Sequence, residues 1–425
     1  METYKYPDKK LWGEIIQRPV VDNSSLQKSV RKILIKVKEK GDKALKKYSK
    51  AFDKVSLRKI SVSEKEIKNA ESLISNKLKK AIQQAKTNIE TFHNLQKEEI
   101  KKIETMAGVA CWRNSIGIEK VGLYIPGGSA PLFSTVLMLG IPARIAGCTE
   151  IILCTPPSKD GTIHPAILYA ATICGINKIF KTGGAQAIAA MAYGTESIPK
   201  VFKIFGPGNP YVTCAKQLLQ CEGVAIDMPA GPSELLIIAD ETALPEFVAA
   251  DLLSQAEHGP DSQVILLTNN ETLVEKVITE IKKQIEKFSR KEIAQQALKN
   301  SKMIILKNLE EAIDLSNFYG PEHLTLAVDS PEKVSEKIIS AGSVFLGNYS
   351  PESAGDYATG TNHVLPTNGY AAMYNGASLD SFVKKITFQQ LTKEGLQNIG
   401  STVTEMAGAE GLEAHQNAIA IRLNN

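Results

Sequence analysis

Residues 121–147, VGLYIPGGSAPLFSTVLMLGIPARIAG, decide the fold. VGLYIP is a short apolar run of strand type, Gly127-Gly128 a loop, and residues 130–147 an apolar helix. The same order recurs downstream. EIILCTPP is followed by a helix over roughly 164–175, KIFKTGG by AQAIAAMAYG, and VFKIFGPGNP by YVTCAKQLL, before GVAIDMP closes the series. Strands alternating with helices predict a parallel sheet covered on both faces, with ligands at the carboxyl ends of its strands.

A second alternation follows the loop at 228–234. Its strands are ELLIIAD, SQVILLT, MIILKN, HLTLAV and GSVFLG, with helices between them. The predicted class is therefore α/β, two Rossmann-like parallel-sheet domains with helical N- and C-terminal extensions. The divisions read as follows: an arm over 1–22, a helical region over 23–121 that belongs with the first domain, and the second domain over 122–234. The rest of the first domain spans 235–377, and a helical tail 378–425. Residues 1–22 look polar and irregular, and helical spacing over 24–50 breaks near Gly41. Ser63 to Glu66 forms a capping-box pattern opening a Lys-rich helical region to Leu95. The tail from Phe382 returns to helical spacing.

Composition narrows the function. The chain has 425 residues, 50 Lys+Arg against 46 Asp+Glu, and 43% hydrophobic residues, which is ordinary for a soluble protein. Lysines are spread over N-terminal helices rather than gathered in one patch, which argues against nucleic acid. No apolar run reaches membrane-spanning length and no secretory h-region is visible, so the expected location is cytoplasmic, without a membrane partner. The six cysteines form no C-x-x-C pair and read as reduced packing residues.

The loop glycines, Gly127-Gly128, Gly183-Gly184 and the 206–209 turn GPGN, lie where backbone N–H groups can approach a phosphate. They equally suit plain tight βα turns, and no complete G-x-G-x-x-G is present. Tyr124, Gln186 and Asn209 sit at the same ends, able to stack on or hydrogen-bond a nucleotide, or to cap helices. In DLLSQAEHGPDSQ, Gln255 and His258 lie three apart at a helix end, as half of a metal site or as a simple C-terminal cap. From Asn348 to Ser378 periodicity vanishes. A loop this long that carries Asp356, Asn362 and His363 points to function. Gln255, His258, Asp356 and His415 together would offer two nitrogens and two oxygens, which suits Zn²⁺ or a similar ion. Glu322-His323 can divide acid–base work, provided the Pro321 turn twists both side chains toward one site; otherwise they form a strand-edge pair facing solvent. His93 and His164, on helix surfaces or starts, receive no role.

The blocks GLYIPGGSAPLFSTVLMLGIPARIAG, GGAQAIAA, KIFGPGN, DMPAGPSE, SQAEHGPDSQVILLT, YGPEHL, SAGSVFLG, SPESAGDYATGTNHVLPT and AEGLEAHQNA occur in this order. They closely resemble the histidinol dehydrogenase family, and the likeness runs from residue 38 to the end. It implies oxidation of L-histidinol, with two NAD⁺ and water, to L-histidine and two NADH. It implies Gln255, His258, Asp356 and His415 as ligands of one Zn²⁺ per subunit, and Glu322 and His323 as the catalytic pair. Ser233, Gln255, His258, His323, Asp356, Glu410 and His415 would contact substrate, and Tyr124, Gln186 and Asn209 would contact NAD. Family members are homodimers with intertwined terminal segments. Other readings are a zinc hydrolase in which Glu322 activates water, a dehydrogenase that stops at the aldehyde, and a non-catalytic binding protein with a structural metal.

Overall fold

The computed structural model describes residues 1–19, 23–127, 130–229 and 231–424. Gly128, Ala230 in the 228–234 loop and the last residues of the 1–22 arm lie outside these. In chain order the strands are β1 (Glu2–Lys5), β2 (Ile103–Met106), β3 (Val109–Gly117), β4 (Lys120–Tyr124), β5 (Glu150–Thr155), β6 (Lys178–Lys181) and β7 (Lys203–Phe205). They continue as β8 (Ala225–Ile226), β9 (Glu234–Ala239), β10 (Gln263–Thr268), β11 (Lys302–Ile305), β12 (His323–Ala327), β13 (Ser343–Leu346) and β14 (Val383–Leu391).

The first alternation builds a five-stranded parallel sheet, β6-β5-β4-β7-β8. The second builds a six-stranded parallel sheet, β1-β11-β10-β9-β12-β13. Both have apolar cores on either face. In β9, Leu235, Ile237 and Ala239 enter one core while Leu236 and Ile238 enter the other. Burial on both faces is why these strands read as unbroken apolar runs.

Local signals give the expected local structures. Ser63 and Glu66 form a reciprocal capping box at the start of helix Glu64–Ala70. The long helix Asn23–Tyr48 breaks at Gly41, whose φ of 47° suits a residue without Cβ. All six cysteines are free.

Five expectations need correction. The region 23–121 is helical only as far as Asn94, with β2, β3 and the start of β4 beyond it, and its helices pack on the five-stranded sheet rather than the six-stranded one. The arm is not wholly irregular, since β1 adds a parallel edge strand to the six-stranded sheet and Trp12–Ile15 forms a helical turn. The helical reading of the tail holds only from Lys393. Before it, β14 pairs antiparallel with β3 along its whole length, and β2 completes a three-stranded sheet. That pairing joins segments far apart in the chain, so tertiary contact decides what local spacing could not. His93 is fully buried, its Nδ1 2.9 Å from the Ile89 carbonyl, rather than on a helix surface. The 348–378 stretch is not without structure: it holds the helix Glu352–Tyr357.

Candidate active site

A cavity of about 720 Å³ lies between the two parallel sheets. On one wall Pro126, Gly208 and Asn209 follow the carboxyl ends of β4 and β7. On the other, Ser233, Ser262, Glu322 and His323 stand at the amino ends of β9, β10 and β12. The cavity thus adjoins the strand carboxyl ends of the five-stranded sheet, while the six-stranded sheet presents its opposite edge.

The helix Pro245–Ala256 delivers Gln255 on its last turn, and the chain beyond it delivers His258. Gln255 is buried, and its Oε1 has no hydrogen-bond partner. Pro351 opens the helix Glu352–Tyr357, which places Glu352 and Asp356 four residues apart on one face. Ligand atoms of His258, Glu352 and Asp356 all lie within 4.8 Å of one another. One oxygen of Glu352 is likewise buried without a partner. An unmatched buried acceptor costs about 1–3 kcal/mol, and two of them beside an imidazole and a carboxylate are what a cation would satisfy. Nitrogen and oxygen donors without thiolate fit a zinc-type ion.

Glu322 and His323 both reach this space. His323 opens β12 opposite Leu235, and Glu322 lies one residue earlier, beyond the regular strand. The Glu234 main chain holds the two. Its N–H donates to Glu322 Oε2 at 2.9 Å, and its carbonyl accepts from His323 Nδ1 at 3.1 Å. A carbonyl cannot donate, so the proton sits on Nδ1. His323 Nε2 is left without a hydrogen-bond partner, 3.7 Å from Asp356 Oδ1.

The shared burial sets the electrostatics. Burial pushes the Glu322 carboxyl up to about 8 against the pull of His323. Burial and the Asp356 charge push Glu352 up to about 8. Burial opposes ionisation of Asp356 too, but His323 and His363 hold it well below the usual carboxylate range. His323 goes up to about 10, because Glu322 and Asp356 outweigh its burial. Burial holds His258 and His363 below the ordinary imidazole value.

On the opposite wall, Tyr124 accepts a hydrogen bond from the Gly184 N–H at 3.0 Å, and burial pushes its phenol up to about 12. Asn209 caps the helix Pro210–Gln220 by accepting from the Val212 N–H at 3.2 Å. Gly206, φ 128°, runs so close to β4 that a Cβ would fall 2.0 Å from the Tyr124 carbonyl oxygen. Lys216 and Asp227, both buried, form an ion pair behind this turn, and each also bonds the Gly206 backbone.

A sequence model of histidinol dehydrogenase matches residues 16–423. The histidinol dehydrogenase of Bacteroides thetaiotaomicron is 59% identical over 424 residues, covering 100% of this chain and 99% of that protein. The Yersinia pestis enzyme of the same name is 54% identical over 97% of this chain and 93% of its own. The crystal structure of histidinol dehydrogenase from Elizabethkingia anophelis superposes with a TM-score of 0.97 at 58% identity, covering 100% of this chain and 98% of that one. This chain belongs to the histidinol dehydrogenase family. It is accordingly an NAD-dependent oxidoreductase of histidine biosynthesis.

Within this histidinol dehydrogenase fold, Ser233, Gln255, His258, Glu322, His323 and Asp356 line one cavity, together with Asn209. Tyr124 and Gln186 are buried beside Gly184, on the five-stranded side, and are not among the lining residues. Glu410 and His415 are exposed and stand apart from the cavity. Glu410 ends the helix Lys393–Ala409, and His415 lies in Glu413–Leu423, a helix with no buried residue that packs on its neighbour. His363, given no role above, also lines the cavity, 3.0 Å from Thr135 Oγ1 and 2.7 Å from the Asp356 carbonyl.

Sequence reasoning missed two features of the site. Glu352 could have been found, because Pro351 marks a helix start and Glu352 and Asp356 share its i, i+4 spacing. The support that Glu234 gives has no local signal at all.

Proposed function

We propose that this chain converts L-histidinol to L-histidine in two successive hydride transfers to two NAD⁺, with one zinc ion per subunit. The observation that carries the reading is the convergence of Glu322, His323, Gln255, His258 and Asp356 on one cavity, whose other wall is built from βα turns.

In the first oxidation His323 Nε2, in its neutral form, takes the alcohol proton while hydride leaves the carbinol carbon for nicotinamide; a cation on Asp356 would draw off part of the charge that holds this imidazole up. Nε2 serves because the Glu234 carbonyl engages Nδ1. In the second, Glu322 takes a proton from water as it adds to the aldehyde carbon. The resulting hydrate anion then gives up the second hydride to the second NAD⁺, which leaves the carboxyl group with the water oxygen in it. Glu322 Oε2 is engaged by the Glu234 N–H, which leaves Oε1 to face water.

Gln255, His258 and Asp356 of one chain, with the partner subunit's His415, would hold the zinc ion. When bound, the ion would hold the substrate's imidazole and amine and make both steps effectively unimolecular. Ser233 and Glu410 would contact substrate as well. Tyr124, Gln186 and Asn209 would bind NAD⁺, close to the starts of the helices Gly184–Tyr193 and Pro210–Gln220. Residues 122–234 form the NAD-side domain, on which the helices of residues 23–94 pack, and residues 235–377 form the other.

The protein acts as a cytoplasmic homodimer. The C-terminal unit leaves Ile386, Phe388, Leu391, Met406, Leu412 and Ile421 exposed, which favours a partner over that face. Among the described residues no helix is long and apolar enough to cross a membrane.

The test is absorbance at the NADH band after mixing protein, NAD⁺ and L-histidinol, with and without chelator. Two NADH per histidinol, lost on chelation and regained with zinc, is expected. One NADH per histidinol would favour the dehydrogenase that stops at the aldehyde. None would return the hydrolase or the binding protein.

A further inference from the structure

We infer that Arg18 and Glu234 form a positioning clamp through which the N-terminal arm sets the geometry of Glu322 and His323. The inference rests on the catalytic reading of that pair.

Glu234 is the first residue of β9 and is buried, yet it carries a carboxylate. Arg18 grips that carboxylate with both ends of its fork, Nε to Oε1 at 2.6 Å and Nη2 to Oε2 at 2.9 Å. A planar fork fixes orientation as well as distance, which a point charge cannot do. The guanidinium is itself fixed. It stacks on the Tyr319 ring at 3.7 Å, and Nη2 donates to the Tyr319 carbonyl at 2.9 Å. Tyr319 in turn donates to Gln263, whose amide donates to the Gln17 carbonyl beside Arg18.

The other side of Glu234 faces the chemistry. Its N–H and carbonyl hold Glu322 Oε2 and His323 Nδ1. Its Oε1 also accepts from the Asn368 N–H at 2.9 Å, which ties in the long loop that carries Asp356. One residue therefore joins the arm, the start of β9, the catalytic pair and the loop. A shift of the Glu234 backbone, whose N–H and carbonyl belong to the two peptides flanking its Cα, would move both catalytic groups together. A buried ion pair is weak evidence of stabilisation, because desolvation offsets attraction. Its worth here is orientation.

The experiment is Arg18→Ala in the full-length, zinc-loaded enzyme, with alcohol and aldehyde oxidation assayed separately. Expected is a fall in kcat of about 10- to 100-fold in both half-reactions, the scale seen when a supporting hydrogen-bond partner is lost. KM values and zinc content should stay near wild type. Guanidinium chloride at millimolar concentration should restore part of kcat in Arg18→Ala and change nothing in the wild type. Arg18→Lys, which keeps the charge but not the fork, should fall between the two and serves if Arg18→Ala does not fold. Wild-type kcat in both variants overturns the clamp. So does a rise in KM alone, which would make Arg18 a ligand contact, or a loss of kcat that guanidinium leaves untouched in a folded Arg18→Ala protein. The catalytic reading is tested apart from this. Glu322→Gln with both half-reactions at wild-type rate would remove Glu322 from the reaction whatever Arg18 does.

Discussion

The two parallel sheets face one cavity with opposite ends. The five-stranded sheet presents strand carboxyl ends, so the helices Gly184–Tyr193 and Pro210–Gln220 begin there. The six-stranded sheet presents strand amino ends, so the helices Pro245–Ala256 and Leu309–Tyr319 finish there. A helix carries about half a positive charge at its start and half a negative charge at its finish. One wall therefore offers backbone N–H donors, suited to an anionic dinucleotide, and the other offers carbonyls, suited to cations. The same βα unit, turned round, presents two opposite polarities. The side chains follow the division. The carboxylates and imidazoles of the cavity gather on the six-stranded side, where Glu322 and Glu352 are both pushed up to about 8. The opposite wall holds its turn with main chain, glycine and a capping Asn209.

Removing the cation from its wall should have the largest effect. His258→Ala or Asp356→Ala should lose bound zinc and at least about 1000-fold of activity together, since metal and substrate positioning go at once. Near-normal melting would show that the fold survives. Elemental analysis and the NADH assay on the same sample check it. A fully metallated, active His258→Ala protein would mean that the cation wall lies elsewhere.

The two walls differ in how legible they are in the sequence, for a physical reason. Strands buried on both faces leave apolar runs that are legible singly, and Gly41 and Ser63 announce their own backbone geometry. Which end of each sheet faces the cavity is not legible. It depends on how two separately wound units dock, and no local spacing records that. The pairing of β14 with β3 was hidden likewise, because VKKITFQQL fits a helix or a strand until its partner is known. In the site, Gln255 and His258 were readable from a helix end, and Asp356 from the composition of its loop. Arg18 and Glu234 were not readable, because each is ordinary until the other is beside it.

The two walls of one chain leave the proposed zinc set of Gln255, His258 and Asp356 without the fourth ligand assigned to His415, which is exposed on a helix that buries nothing. We expect a second chain to supply it. Inactive His258→Ala and His415→Ala chains, unfolded and refolded together, should form about half heterodimers at random, each with one intact site. Activity should recover to roughly a quarter of wild type per site. Refolded wild type provides the control. A mixture that stays dead although heterodimers form would make the site the property of one chain.

The smallest expected effect probes the anion-binding wall. Asn209 has two readings, a cofactor contact and a cap, and its side chain already accepts from the Val212 N–H. Replacing such a cap with Ala costs about 1 kcal/mol of stability. As a cap alone, Asn209→Ala should lower the melting temperature and leave kinetics unchanged. As a cofactor contact too, it should also raise the KM for NAD⁺ by roughly ten-fold, the worth of one neutral hydrogen bond, with kcat nearly unchanged. We expect both effects. A cap presents its N–H groups to the cavity only while it holds the helix start in place, and here Gly206 and the Lys216–Asp227 pair brace the same turn from behind. Loss of the cap should therefore loosen the anion site without dissolving it. A KM shift with no change in melting would mean that the Asn209 amide serves the nucleotide alone and that backbone bracing, not capping, shapes this wall.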